Sequence, residues 1–224
     1  FAGWNTAADG TGTSYASGLT TFSSSSSITL YPQWNSTITY NTNGGSGTAP
    51  STTTAIGSKN TTLASSTGIS KTGFTNYGWN TAADGSGTYY ASAATTFVAS
   101  GNVTLYVQWN STITYNANGG SGTVPGNTTA TSTQANTTLA TNTGNLTRAG
   151  YTFSGWNTAA NGTGTHYDAG ITNYQSAGSV TLYAEWTSGI TYDSNSADSG
   201  TAPATQNITG AGTSVTLATN SGSL

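Results

Sequence analysis

Three segments of the chain alternate apolar and polar residues with a period of two: residues 28–34, 103–109 and 180–186. In the first segment Ile28, Leu30 and Trp34 fall on one face, and the odd-numbered residues between them fall on the other. Because successive side chains of a strand point to opposite sides, this alternation predicts a half-buried β-strand. Pro32 lacks a backbone N–H and predicts that its strand lies at the edge of a sheet.

Shorter alternating segments, residues 37–40, 112–115 and 190–192, predict further strands. In the two central copies an Asn-Gly-Gly turn follows, at Asn43 and Asn118. Its glycines favour a turn, and it lacks the lysine and the following helix of a phosphate-binding loop. Helix-forming residues are sparse and Thr, Ser, Asn and Gly dominate, so we predict little or no helix beyond one turn near residues 57–67.

The chain repeats itself. The stretch Gly-Trp-Asn-Thr-Ala-Ala begins at Gly3, Gly78 and Gly155, and the closing segment follows each copy at a constant distance. This self-similarity predicts a tandem array of modules of about 75–78 residues each. We expect the chain to be a window from a longer, nearly regular array. Its predicted parts are 1–34 (second half of a module), 35–110 and 111–187 (complete modules) and 188–224 (first half of a module).

Charged residues are scarce: 3 Lys and Arg and 6 Asp and Glu make up 4% of the chain, against about 25% in a typical soluble domain. So few cations exclude nucleic-acid binding through phosphate neutralisation and a membrane-surface helix. No apolar run approaches the ~20 residues of a membrane span. The net charge of −3 is too small to steer a cationic partner.

The chain has no cysteine, so disulfides cannot stabilise its modules. Modules of this size are marginal for a single core and depend on large side chains and on their neighbours. Aromatic residues are 11% of the chain and can supply that core. The predicted core consists of two tryptophans and one closing-strand leucine per copy: Trp4, Trp34, Trp79, Trp109, Trp156, Trp186, Leu30, Leu105 and Leu182.

The single histidine, His166, occupies a variable position, since the other copies have Ser14 and Tyr89 there. Catalysis by a histidine requires a nucleophile placed beside it, and the abundant Ser and Thr identify none. No acid, base or metal cluster recurs in the copies. We therefore predict no catalytic residues, no metal site, no cofactor and no enzymatic activity.

Acidic residues occur mainly in turns. Asp9 and Asp84 become Asn161 in the third copy, and a hairpin turn accounts for all three because Asp and Asn both tolerate the left-handed conformation. A calcium site is the weaker alternative, since it needs several oxygen ligands and this loop supplies one carboxylate. Asp193 and Asp198 are the clustered acids of the chain.

The exposed aromatic residues and the asparagines suggest further roles. Tyr31, Tyr106 and Tyr183 lie on the strand face opposite to the core residues and could contribute to a carbohydrate-binding platform or a module junction. Asn35 and Asn110 form Asn-x-Ser/Thr sequons directly after the closing tryptophans. They are candidate glycosylation sites of a surface protein.

Several motifs occur together in a fixed order: Gly-Tyr-Thr-Phe-Ser-Gly-Trp-Asn-Thr at 150–158, Thr-Leu-Tyr-Ala-Glu-Trp at 181–186 and the turn at 118–120. In this combination the chain resembles, over essentially its whole length, the Listeria–Bacteroides repeat, also called the internalin B-repeat. The resemblance implies β-rich modules with a β-grasp-like sheet, arranged in tandem in bacterial and some archaeal surface proteins as stalks, adhesive regions or interaction modules. The second copy departs from the pattern, since Asn76 stands where the other copies have Phe.

These observations predict a mainly-β tandem array that serves as a structural, non-enzymatic repeat region of an extracellular surface protein. Half-modules at both ends predict head-to-tail stacking into a filament or stalk, completed either by another chain or within one very long chain. The expected partners are copies of the chain or adjacent repeats, with no nucleic acid and no membrane insertion. The alternative is an adhesin-type binding module that recognises a glycan or a protein of a host or neighbouring cell.

Overall fold

The computed structural model describes residues 1–18, 21–131, 137–210 and 214–223. These residues form thirteen strands and no helix, which confirms the prediction of a mainly-β chain. The strands are β1 (Gly3–Asn5), β2 (Ser14–Tyr15), β3 (Tyr31–Gln33), β4 (Asn35–Asn41), β5 (Thr53–Ile56), β6 (Thr75–Asn80), β7 (Tyr89–Tyr90), β8 (Val103–Asn116), β9 (Thr128–Thr131), β10 (Thr152–Asn157), β11 (His166–Tyr167), β12 (Val180–Ile190) and β13 (Gln206–Thr209).

The chain divides into two compact units. The first contains Phe1–Ser111 and Thr131, and the second contains Thr112–Ala130 and the described residues from 137 onward. Strand β8 supplies its first residues to the first unit and its last residues to the second.

In the first unit, β4 and β8 lie side by side and parallel, with Ile38 opposite Val103 and Tyr40 opposite Leu105. Strand β5 pairs antiparallel with β4, β6 pairs antiparallel with β8, and β7 pairs with β6. The resulting order β5-β4-β8-β6-β7 has a parallel pair at its centre and antiparallel strands outside it. This arrangement is the β-grasp-like sheet that the resemblance implies.

The core of this module lies on one face of the sheet. Parallel neighbours need a long crossover connection, which is usually helical. Here the crossover is rich in Thr, Ser and Gly, which disfavour a helix, and it brings Leu63 and Ile69 into the core instead. The buried cluster consists of Ile38, Tyr40, Ala55, Leu63, Ile69, Trp79, Phe97, Ala99, Leu105, Val107 and Trp109.

The second unit repeats this plan. The last residues of β8 run parallel to β12, with Ile113 opposite Val180, and β10 pairs antiparallel with β12. Strand β11 pairs with β10, and β9 pairs with β8. The buried cluster consists of Ile113, Tyr115, Ala130, Leu139, Leu146, Trp156, Tyr174, Leu182, Ala184 and Trp186.

Each unit also contains a half-module. In the first unit, residues 1–34 form a separate three-stranded sheet in the order β2-β1-β3. Strand β3 lies at its edge, which confirms the expectation from Pro32. In the second unit, β13 pairs antiparallel with the end of β12, with Ile208 opposite Ser188.

The core prediction needs a correction in the first half-module. Trp79, Trp109, Trp156, Trp186, Leu105 and Leu182 are all buried in the complete modules. Trp4 and Trp34, however, are 40% and 62% exposed, and Leu30 is half-buried. The physical reason is that the complete modules cover their tryptophans with residues of the first half of the module, such as Ile113 and Leu139.

Candidate functional site

The recurrent glycine before each first tryptophan is required by the backbone. Gly78 and Gly155 have φ of +121° and +141°, and each lies at an irregularity in its strand register. A Cβ on Gly78 would come within 2.6 Å of the carbonyl oxygen of Tyr90. Only glycine accommodates this φ and this close approach, and the resulting bulge places the following tryptophan in the core.

The asparagine after that tryptophan organises the next loop. Asn80 is 1% exposed. Its Oδ1 accepts the N–H of Ala82 at 2.9 Å, and its Nδ2 donates to the carbonyl of Gly85 at 3.2 Å and to Oε1 of Gln108 at 2.9 Å. Asn5 and Asn157 make equivalent contacts in their own copies. The sequence analysis missed this role, although the recurrence of Asn in all three copies was its signal.

The indole N–H groups of the buried tryptophans all have backbone acceptors. Trp79 donates to the carbonyl of Ala64 at 2.8 Å, and Trp156 donates to the carbonyl of Ala140 at 2.7 Å. In the third copy Trp186 donates to the carbonyl of Ala117 at 3.1 Å. These bonds connect the second half of each module to its first half and satisfy groups that are costly to bury unpaired.

The Asn-Gly-Gly turn lies against the closing tryptophan. A Cβ on Gly120 would come within 2.3 Å of Cζ2 of Trp186, and a Cβ on Gly45 would come within 2.4 Å of Cζ2 of Trp109. The second glycine of the turn is therefore a packing requirement of the core. This contact explains why the turn and the tryptophan occur together.

The third module contains a charged cluster. Nδ1 of His166 lies 2.6 Å from Oε2 of Glu185, and its Nε2 lies 3.2 Å from Oδ1 of Asp168. Glu185 is 5% exposed and also accepts from Nδ2 of Asn157 at 3.1 Å. The other copies have Gln33 and Gln108 at the position of Glu185.

The two carboxylates raise the pKa of His166, mainly through the hydrogen bond that Glu185 accepts from the imidazole, and burial of the ring opposes them. Both ring nitrogens of His166 face carboxylates, so neither is placed to take a proton from a hydroxyl nucleophile. The cluster is an imidazole held between two carboxylates rather than a nucleophilic triad. In the part of the chain that the structure describes, no group of three or more His, Asp or Glu residues is placed to hold a metal ion.

The acidic turn residues cap their own turns. Oδ1 of Asp84 accepts from the N–H of Ser86 at 2.9 Å and from its hydroxyl at 2.6 Å. Oδ1 of Asp9 accepts the equivalent two bonds from the N–H and the hydroxyl of Thr11. These hydrogen bonds lower the pKa of both carboxyls. Asn161 accepts equivalent bonds in the third copy. A local turn contact thus accounts for these side chains.

Some of the exposed aromatic side chains pack against one another. Tyr77 and Tyr89, 51% and 42% exposed, lie with ring centroids 4.9 Å apart. Phe1 packs edge-on against Trp4 and Trp34 in the first half-module. Of the opposite-face tyrosines, Tyr31 is exposed, and Tyr106 and Tyr183 are half-buried.

The two candidate glycosylation sites differ in their surroundings. Asn35 is exposed at the start of β4. Asn110 is half-buried, and its Oδ1 accepts from Nε2 of Gln108 at 3.4 Å and from the hydroxyl of Thr131 at 3.5 Å. Glycosylation at both stays a prediction, and Asn35 is the more accessible acceptor.

These contacts define a class of protein: tandem β-modules whose recurring residues build cores and turns. The model of the Listeria-Bacteroides repeat domain matches residues 1–33, 37–108 and 112–185. The chain therefore belongs to the Listeria–Bacteroides repeat family, as the resemblance implied, and is a surface repeat protein.

Two curated relatives come from Evansella cellulosilytica. A "Putative Gly-rich membrane protein" is 39% identical over 126 residues, which cover 53% of this chain and 14% of the relative. A "Putative membrane protein" is 40% identical over 97 residues, which cover 42% of this chain and 14% of the relative. The chain thus spans a small part of the length of these relatives. No solved structure matches. Among the described residues no helix is long and apolar enough to cross a membrane.

Proposed function

We propose that this chain is a structural, non-enzymatic repeat region of an extracellular surface protein, whose modules stack head-to-tail into a stalk or filament. The observation that carries the proposal is a recurring backbone contact between consecutive modules. In the first unit the N–H of Gly57 donates to the carbonyl of Trp34 at 2.8 Å. In the second unit the N–H of Gly210 donates to the carbonyl of Trp186 at 3.0 Å.

This contact favours a stalk because it depends on the backbone and on a recurring landmark. The closing tryptophan of one module presents its carbonyl to the strand end of the next, β5 in the first unit and β13 in the second. The same contact therefore attaches the following strand end to the closing tryptophan within each of the two units. Repetition of one nearest-neighbour contact is how repeat proteins build extended structures.

The test is electron microscopy of native material combined with intact mass measurement of the same sample. We expect thin fibres or stalks whose length increases with the number of modules in the polypeptide. Compact particles whose dimensions do not change with module number would refute the stalk. Hydrolase and transferase assays on the same sample should show no activity that co-purifies with the chain.

An adhesin-type module is the second candidate, and Tyr77 and Tyr89 favour it. The two rings lie against each other. Tyr77 also borders a cavity of about 250 Å³ whose lining includes the polar residues Ser66, Asn76 and Ser92. An aromatic wall beside hydroxyl and amide groups is a surface on which a sugar ring can stack. Glycan-array binding that is lost in Tyr77→Ala and retained in Tyr31→Ala would support this role, and a chain that binds no glycan would refute it.

A further inference from the structure

Two pairs of tyrosines are in ring contact in the part of the chain that the structure describes, and they differ in geometry. Tyr77 of β6 and Tyr89 of β7 have ring centroids 4.9 Å apart and ring planes inclined by 32°. Tyr167 and Tyr174 have centroids 5.0 Å apart, but their planes are inclined by 83°. The first pair is therefore closer to a stacked arrangement, whereas the second meets edge to face.

The two pairs also differ in their access to solvent. Tyr77 and Tyr89 are both exposed, whereas Tyr174 is buried. The exposed pair belongs to the complete module 35–110, which has described residues before and after it. A reagent in solution can therefore reach both phenols of the first pair, and the fold keeps it from one phenol of the second.

The exposed pair occurs in one copy of the repeat. The other two copies have no phenol at either position: Ala2 and Ser14 in the first copy, and Ser154 and His166 in the third. Neither tyrosine belongs to the buried cluster of its module. The core therefore does not account for the presence of Tyr77 and Tyr89 at these positions.

The backbone on both sides of Tyr77 is fixed by hydrogen bonds. Oδ1 of Asn76 accepts the N–H of Gly78 at 3.1 Å and the hydroxyl of Ser66 at 2.9 Å. Its Nδ2 donates to the carbonyls of Ser66 and Ile69 at 2.9 and 3.2 Å. Strand β7, which carries Tyr89, pairs directly with β6. The fold thus holds the two rings together before any reaction, which is the condition for an efficient intramolecular step.

We propose that Tyr77 and Tyr89 form an oxidative cross-linking site, at which a haem peroxidase with hydrogen peroxide joins the two phenols into dityrosine. Each phenol loses one electron and one proton and becomes a phenoxyl radical. The two radicals form one carbon–carbon bond between ring carbons ortho to the oxygens. The hydrogens on these carbons then move to the two oxygens and restore the phenols. In total the pair loses two hydrogen atoms, and one hydrogen peroxide is reduced to two waters.

The contact between the rings favours coupling within one chain. Two phenols that are already in contact react without the entropic cost of bringing two molecules together. Tyr31 is also exposed, but among the described residues no other tyrosine ring is in contact with it. An oxidant therefore reaches Tyr31 without producing a cross-link inside the same chain.

The cross-link would stabilise the module that contains it. The new bond closes the loop between residues 77 and 89 and holds β6 to β7. A covalent closure of a loop of this size restricts the unfolded chain, as a disulfide does. Opening of the hairpin should become about a hundredfold less frequent. A chain without cysteine would thus gain a covalent bond in an oxidising environment.

The proposal is tested by treating the purified chain, at low concentration, with a haem peroxidase and limiting hydrogen peroxide. We expect dityrosine fluorescence on the monomer, an intact mass lower by two hydrogen atoms, and a linked peptide that contains residues 77 and 89. Tyr77→Phe and Tyr89→Phe each keep the aromatic ring and remove one phenol, so each should abolish the cross-link in the monomer. Tyr31→Phe is the matched control and should cross-link like the unmodified chain.

Hydrogen exchange measures the consequence in the cross-linked monomer. Amides of β6 should open about a hundredfold less often than in the untreated chain. Amides of β10 lie in the other complete module and should be unchanged. The Tyr77→Phe variant, treated with the same oxidant, should show no gain in protection, which separates the cross-link from other effects of oxidation.

Four results would overturn the inference. These are the absence of dityrosine from the treated chain, dityrosine only in linked oligomers, an undiminished monomer cross-link in either phenylalanine variant, and a linked peptide that joins Tyr167 to Tyr174 instead. Unchanged exchange in β6 of a cross-linked monomer would refute the stabilisation. None of these results bears on the stalk, which is tested by microscopy of native material.

Discussion

Replacing Asn80 by alanine should unfold its module preferentially. In the unmodified chain Asn80 bonds the N–H of Ala82 at 2.9 Å, the carbonyl of Gly85 at 3.2 Å and the side-chain oxygen of Gln108 at 2.9 Å. The substitution leaves all three groups without this partner. Each such bond contributes about 1 kcal/mol net, and a buried group left unpaired costs about 1–3 kcal/mol. We therefore expect a loss of about 3 kcal/mol, a large fraction of the ~5 kcal/mol that stabilises a small domain.

Native-state hydrogen exchange read by mass spectrometry can measure this loss module by module. Amides of β6 and β8 that report opening of residues 35–110 should exchange about a hundredfold faster, which corresponds to about 3 kcal/mol. Amides of β10 and β12 report the module at 111–187 in the same molecule and serve as an internal reference. A global denaturation curve is less informative, because arrays of modules need not unfold in two states.

Asn60→Ala is the matched control, since Asn60 is an exposed asparagine of the same module. It should change the free energy of opening by less than about 0.5 kcal/mol. The reasoning is refuted if Asn80→Ala falls within the same limit. It is also refuted if β6 and β10 lose protection equally, because the asparagine would then not act within its own module.

Three further predictions concern single side chains. Gly78→Ala forces a φ of +121° on alanine and brings its Cβ within 2.6 Å of a carbonyl oxygen. The substitution should lower the free energy of unfolding by about 3 kcal/mol. A thermal unfolding midpoint equal to that of the unmodified chain would contradict this. Gly120→Ala places a methyl group against Trp186 and should lower the free energy of unfolding by about 1–3 kcal/mol through overpacking. The fluorescence emission of the indole should shift as well. An unchanged emission spectrum and an unchanged unfolding midpoint would count against the contact. The carboxylates of Glu185 and Asp168 raise the pKa of His166 above 6.5. The contribution of the protonated imidazole to the stability of the fold is therefore fully present below pH 6.5, and it disappears as the pH rises through the raised pKa. His166→Gln should therefore lower the unfolding midpoint more at pH 5.5 than at pH 9, and an equal change at both would exclude the ion pair as the cause.

The long strands of the complete modules and the repeat were predictable from the sequence because they depend on local alternation and on recurrence, whereas the strands predicted at 28–34 and 190–192 are only partly formed. The segments at 103–109 and 180–186 both fall within observed strands. The sequence analysis placed a module boundary at residues 110 and 111, whereas β8 runs through that boundary without a break. No glycine or proline interrupts this stretch, and the inward–outward alternation of its side chains continues through Ser111.

What the sequence did not predict depends on tertiary partners. Asn80 and its counterparts are polar loop residues, for which composition predicts exposure, yet loop carbonyls converge on them and bury them. Trp4 and Trp34 have the same local sequence as their buried counterparts, and only the presence of a covering half-module decides their burial. The partnership of His166 with Glu185 joins residues of β11 and β12, the two strands that flank β10, and has no local signature.

The parallel central pair has a mechanical consequence. In the first unit, the opening strand β4 and the closing strand β8 of one module are paired over four positions, from Ile38–Val103 to Asn41–Tyr106. The second unit has the same four-position register between β8 and β12. Tension applied along the chain pulls the start of the opening strand and the end of the closing strand in opposite directions. Since the two strands are parallel, this tension loads all their hydrogen bonds at once in shear and does not unzip them singly, so each module resists extension as a clamp.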